Sequence, residues 1–176
     1  YGPWSDECVL LLNTIKESVL LKGNHENYFL NGSYSGSNAI AIEFFDFCYQ
    51  KFSQFDIIKK YGETFELADF KIQHTILDKY IFNDTEINFI DNNYIIGHSH
   101  QQFDRFIGSN RLINTGSVGQ NRSHINCINY LIYNIANNSF SFKTQKYDHK
   151  IIIEKMESES YPKLCLDYYR SKNKLL

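Results

Sequence analysis

Proline occurs only twice in these 176 residues, at Pro3 and Pro162, so no proline-rich linker or polyproline ligand divides the chain. Cysteine is also sparse. Cys8, Cys48, Cys127 and Cys165 are scattered without any Cys-x-x-Cys spacing, which argues against a zinc ribbon or a short redox motif and fits a reducing, cytoplasmic setting. No charge sign dominates: 18 Lys plus Arg against 20 Asp plus Glu leave a net charge of -2, and no basic block is present to follow a phosphate backbone. No apolar run approaches the roughly 18 residues of a membrane-spanning helix. Nucleic acid and membrane are therefore disfavoured partners. The only methionine is Met156 and the chain opens Tyr1-Gly2-Pro3, so Tyr1 is not a translation start and no targeting peptide can be read.

What is present is a chain that is 43% hydrophobic and long enough to bury a core without a disulfide, which predicts one soluble domain over residues 1-176. Ser5 is a fair N-cap for a helix over DECVLLLNTIKE, with Cys8, Leu11, Leu12 and Ile15 on one face. A strand SVLLK follows, and then GNHE and a Gly/Ser/Asn loop. AIAIEFFDFCYQKF reads as a buried helix, with Phe44, Phe45, Phe47 and Tyr49 as core and not a stacking platform. Strands are expected at DFKIQHT and NYIIGHSH, and a short helix at TEINFIDN. Hairpins are expected to turn at Gly108 to Asn110 and at Ala136 to Asn138, and a helix closes the chain within 157-176.

One event recurs along this pattern. An apolar segment delivers Asn24 and His25, another delivers His74, and a third delivers His98 and His100. Ligands of α/β proteins gather beyond the carboxyl ends of strands. In an extended segment residues i and i+2 point the same way, so His98 and His100 can serve one locus, such as a pair of metal ions about 3.5 to 4 Å apart. Imidazole together with an amide oxygen favours Mn, Fe or Zn over Ca or Mg.

These residues resemble the calcineurin-like metallophosphoesterases, and among them the small bacterial and archaeal phosphodiesterases. The matching stretches are GNHE at 23-26, His74 closing a strand, GHSH at 97-100 and NTGSVGQNR at 114-122. YGPWSDEC at the start is similar to the segment that follows the family's Gly-Asp motif. The resemblance implies a layered α/β/β/α sandwich whose N-terminal strand-helix-strand is missing from this sequence, together with the Asp-x-His motif and a bridging aspartate. It also implies two divalent metal ions, Mn first, with Fe, Zn or Ni as alternatives. Asn24, His74 and His98 would be ligands of the second metal and His100 of the first. His25 would stand by the phosphoryl group, stabilising charge or protonating the leaving oxygen. The implied activity is hydrolysis of small phosphomonoesters, phosphodiesters or nucleotides by a metal-activated water.

Blander readings stand beside this one. A lone His74 at a strand end is by default a satisfied core or surface histidine, and Asn24-His25 or His98 with His100 could be polar turns; the ordered set argues otherwise. NTGSVG could be only a turn, with Gly116 and Gly119 serving it. His124 and His149 fit no motif and are assigned to surface or hairpin positions, and Glu26 is expected to cap or support, not to ligate. The alternatives to an enzyme are a non-catalytic scaffold of the same fold or an inactive fragment. A nuclease-type module is disfavoured by the charge balance.

Overall fold

The computed structural model describes residues 1-175, which form two compact units. One comprises Tyr1–Gly62 with Asp148–Lys172, and the other Glu63–Tyr147 with the residues from Asn173 on. No helix among the described residues is long and apolar enough to cross a membrane.

The first unit is built of helices: α1 (Ser5–Asn13), α2 (Asn24–Asn31), α3 (Ala39–Tyr49), α4 (Phe55–Ile58), α5 (Lys150–Ser158) and α6 (Lys163–Ser171). The dense apolar run of the third becomes its centre, because Phe44, Phe45 and Cys48 are buried there. Phe29 of α2 meets Phe45 edge-on, and Tyr161, which precedes α6, reaches Cys48 Sγ through its hydroxyl at 3.4 Å. Asn38 caps α3 by accepting from the Ala41 N–H.

Several expectations are corrected in this unit. Ser5 is not the cap of α1; Trp4 holds that position in a left-handed conformation, and the Ser5 hydroxyl donates to the Gly2 carbonyl. The face of Cys8, Leu11, Leu12 and Ile15 is not buried, since α1 has no buried residue. The expected strand at 18-22 makes a single parallel bridge, Leu21 to Gly62. One bridge without a second neighbour does not propagate a ladder. His149 is buried, 8% exposed, at the start of α5, and is not a surface residue.

The second unit carries the strands β1 (Thr64–Leu67), β2 (Phe70–Gln73), β3 (Asn93–Ile96), β4 (Phe103–Ile107), β5 (Asn110–Asn114), β6 (Cys127–Asn134) and β7 (Ser139–Lys146). Five of them make a mixed sheet in the order β1-β2-β3-β5-β4, in which β2, β3 and β5 run parallel and the outer strands antiparallel. The hairpins turn where expected: Gly108 adopts φ 61 between β4 and β5, and a short 3-10 turn at Ile135–Asn137 joins β6 to β7. Phe70, Ile95 and Ile113 on one face of the sheet pack against Leu131, Tyr133 and Phe140 of the β6-β7 hairpin. Tyr94, Ile96 and Leu112 pack on the other face with Ile76, Ile81 and Ile90 of the β2-β3 connection. That connection contains no helix at 85-92. Ile87 and Ile90 there bury against the sheet without completing a helical turn. The chain is thus of the expected α/β class.

Candidate metal centre

Three parallel strands aim their carboxyl ends the same way, because Ile72 pairs with Ile95 and Ile96 with Asn114 across the register. The pairing extends past the strands, since the Gly97 N–H donates to the His74 carbonyl at 3.0 Å and the Thr115 N–H to the Ile96 carbonyl at 3.0 Å. The residues that follow each strand therefore share one edge, where open α/β sheets bind ligands.

His74 and His98 meet there. His74 Nε2 lies 2.9 Å from His98 Nδ1, so a proton is shared between two nitrogens from segments 24 residues apart. Two nitrogens at adjacent positions of one metal ion, each about 2.1 Å from it, stand roughly 3 Å apart. A divalent cation in place of that proton would find the pair almost at ligand spacing. The third histidine is oriented as well, because His100 Nδ1–H donates to the Gln120 carbonyl at 2.8 Å. That bond fixes the tautomer and leaves Nε2 with its lone pair, as metal-binding imidazoles require. Burial, the nearby His74 and His100, and the Arg122 charge hold His98 down at about 4. Burial, followed by the Arg122 charge, does the same for His100, also to about 4. Both rings are neutral near pH 7, the form that ligates.

The geometry departs from the sequence reading in one respect. His98 and His100 are not in an extended segment; they have φ 62 and φ 59, both left-handed, with the buried Ser99 between them. Such a turn costs on the order of 1 to 3 kcal/mol per non-glycine residue unless its surroundings hold it. Asn114, 0% exposed at the end of β5, holds it. Its side-chain amide donates to the Gly97 carbonyl at 2.5 Å and to Ser99 Oγ at 3.0 Å, and its Oδ1 accepts from the Gly116 N–H at 2.9 Å.

The weight of NTGSVG thus falls on Asn114 as well as on the glycines. Gly116 has φ 80, and a Cβ there would lie 2.6 Å from Asn129 Cβ and 2.8 Å from Gln102 Cγ, so any side chain would be strained and would displace its neighbours. Sequence reasoning also passed over Tyr80, whose ring stacks on His98 at 4.0 Å, and Arg122, which lies over Tyr80. The second was inside a stretch already singled out. The first carried no signal.

The donors fit a metal in part. His74, His98 and His100 supply imidazoles at one edge, yet among the described residues no group of three or more His, Cys, Asp or Glu side chains gathers at ligand spacing.

Asn24 and His25 belong to the helical unit. They are delivered by a helix start and not by a strand, since Asn24 is the first residue of α2 after Gly23. The Glu26 carboxylate accepts the Gly23 N–H at 2.7 Å, the capping role expected of it. His25 stands edge-on to Tyr1 with ring centres 4.2 Å apart, and Tyr1 stacks on Phe44. Beside His25 is a cavity of about 220 Å³, lined also by Cys8, Leu12, Glu26, Phe29 and Tyr61. Burial and the neighbouring Glu26 charge push the Tyr61 phenol up.

The fold is similar to that of metallophosphoesterases. A metallophosphoesterase from Sphaerobacter thermophilus superposes with TM-score 0.70 at 17% identity, over 97% of this chain and 83% of that one. A hypothetical protein from Pyrococcus horikoshii OT3 superposes with TM-score 0.71 at 11% identity, over 93% and 77%. No protein-family model and no curated protein sequence matches the chain.

Proposed function

We propose that this protein is a divalent-metal-dependent hydrolase of phosphate esters, with a small phosphorylated molecule as substrate and His74, His98 and His100 among its metal ligands. The observation that carries the reading is the 2.9 Å approach of His74 Nε2 to His98 Nδ1 at the carboxyl edge of the parallel strands. The fold shared with a metallophosphoesterase supports it. Mn is the metal proposed, with Fe, Zn or Ni as alternatives, because imidazole donors suit these ions. When bound, such ions supply Lewis acidity and an activated water. The chain's own part is to present imidazoles, and to hold the His98-to-His100 turn through Asn114. Asn24 as a further ligand, His25 as the group at the leaving oxygen, and a second ion enter on the family resemblance alone. The cytoplasmic setting suggested by cysteine spacing belongs to the same proposal.

The test uses the protein expressed from its complete gene and loaded with Mn²⁺. It should hydrolyse a generic aryl phosphate ester, and His98→Ala should lose bound metal and turnover together. His25→Ala should keep the metal and turn over more slowly. Metal-loaded protein that leaves aryl monoesters and diesters intact would refute the reading. It would favour a non-catalytic scaffold of the same fold.

A further inference from the structure

Arg122 is an exposed guanidinium seated on aromatic rings. Its Cζ lies 4.8 Å from the centre of Tyr80 and 5.8 Å from that of Phe82, and the two rings lie nearly parallel. Tyr80 in turn stacks on His98 with ring centres 4.0 Å apart and planes 19° from parallel. Other cations are engaged by acids, Lys51 and Lys155 by Glu159, Arg111 by Asp104, Lys163 by Asp167 and Arg170 by Glu157, whereas Arg122 lies over rings. The cation is therefore positioned by π faces. The Tyr80 ring that carries it also stacks on His98, so the cation stands beside the histidine edge. A fixed positive charge beside residues suited to holding cations is repulsive unless an anion comes between them.

We propose that Arg122 binds the phosphate of the substrate and that its two-pronged contact selects phosphomonoesters over phosphodiesters; this rests on the phosphoesterase reading of the same site. A guanidinium matches two oxygens of one phosphate with parallel hydrogen bonds. A monoester has three terminal oxygens, so two can face Arg122 while one still faces the histidine edge. A diester has only two terminal oxygens, and engaging both at Arg122 leaves none for that edge.

Inorganic phosphate and dimethyl phosphate are the probes, titrated into the chain by calorimetry or by ³¹P NMR without turnover. The native chain should bind inorganic phosphate at least tenfold more tightly than dimethyl phosphate. R122Q should lose at least tenfold in phosphate affinity and most of that preference. R122K should recover only part, since an ammonium keeps the charge but lacks the fork. Tyr80→Leu, which removes the seat and keeps the charge, should also weaken phosphate binding and serves if R122Q fails to fold. Equal phosphate affinity in native chain and R122Q, or no preference between the probes in the native chain, overturns the proposal. Hydrolysis by the metal-loaded protein with an unchanged monoester KM in R122Q would sink the Arg122 role alone. Phosphate binding that depends on Arg122 in a protein that hydrolyses no ester would sink the phosphoesterase reading and, with it, the ester selectivity.

Discussion

The Asn114 side-chain amide donates to the carbonyl oxygen of Gly97 at 2.5 Å, so the end of β5 holds the turn that carries His98 and His100. Asn114 is wholly buried and also bonds Ser99 and the Gly116 N–H. Replacing it with Leu leaves the Gly97 carbonyl and the Gly116 N–H without that partner. A cost of about 1 to 3 kcal/mol in urea unfolding is expected, with a drop of about tenfold or more in Mn²⁺ affinity because the left-handed turn is released. Unchanged metal affinity in a stably folded Asn114→Leu would show that the turn holds itself.

Metal binding by residues 1–176 should be weak and no more than one ion per chain, since His74 and His98 supply a pair of donors and no larger cluster of His, Cys, Asp or Glu gathers among the described residues. Equilibrium dialysis with Mn²⁺ measures this directly. His74→Ala should lower the affinity by about tenfold or more while leaving the melting temperature of the metal-free chain nearly unchanged, because the histidine is only half-buried. Two tightly held ions would contradict this account.

Gly116→Ala places a methyl group 2.6 Å from Asn129 Cβ at a residue with φ 80. Backbone strain and displaced neighbours together should cost about 2 to 4 kcal/mol. Gly108→Ala, also at positive φ but with open space around it, should cost about 1 kcal/mol. Denaturant midpoints for the two variants give the comparison, and a Gly116→Ala no worse than Gly108→Ala would remove the packing argument.

Alkaline pH should destabilise the second unit through Tyr147. Burial, with a smaller contribution from Cys127, raises its phenol to about 12, and the hydroxyl donates to the Ile125 carbonyl at 2.7 Å. The unfolded phenol titrates near 10. Its contribution is therefore complete below pH 10 and declines as pH rises through about 12, because the unfolded chain releases the proton first. Tyr147→Phe should cost about 1 kcal/mol at neutral pH and lose less stability between pH 10 and 12 than the native chain. Stability curves that stay parallel across that range would rule out Tyr147 as the group responsible.

The sequence by itself determined those features that local chemistry decides. The apolar density of 39–49 made α3 legible, and Gly108 and the Ala136–Asn138 stretch marked both hairpins because few residues tolerate those turns. Apolar runs ending in His74 and in GHSH marked β2 and β3 and the imidazoles after them. Tertiary structure decided everything that needed a partner. Segment 18–22 has a strand's composition but a single bridge, and 85–92 has a helix's composition but packs as irregular chain on the sheet. Asn24 begins a helix because Glu26 caps it, which an apolar run upstream does not reveal. His74 reaches His98 only because β2 and β3 are parallel neighbours, and Arg122 comes beside them only because Tyr80 and Phe82 form its seat. Strand pairing and stacking between segments depend on long-range register and burial, and the free energy of a contact between distant residues is not written in either residue's neighbours.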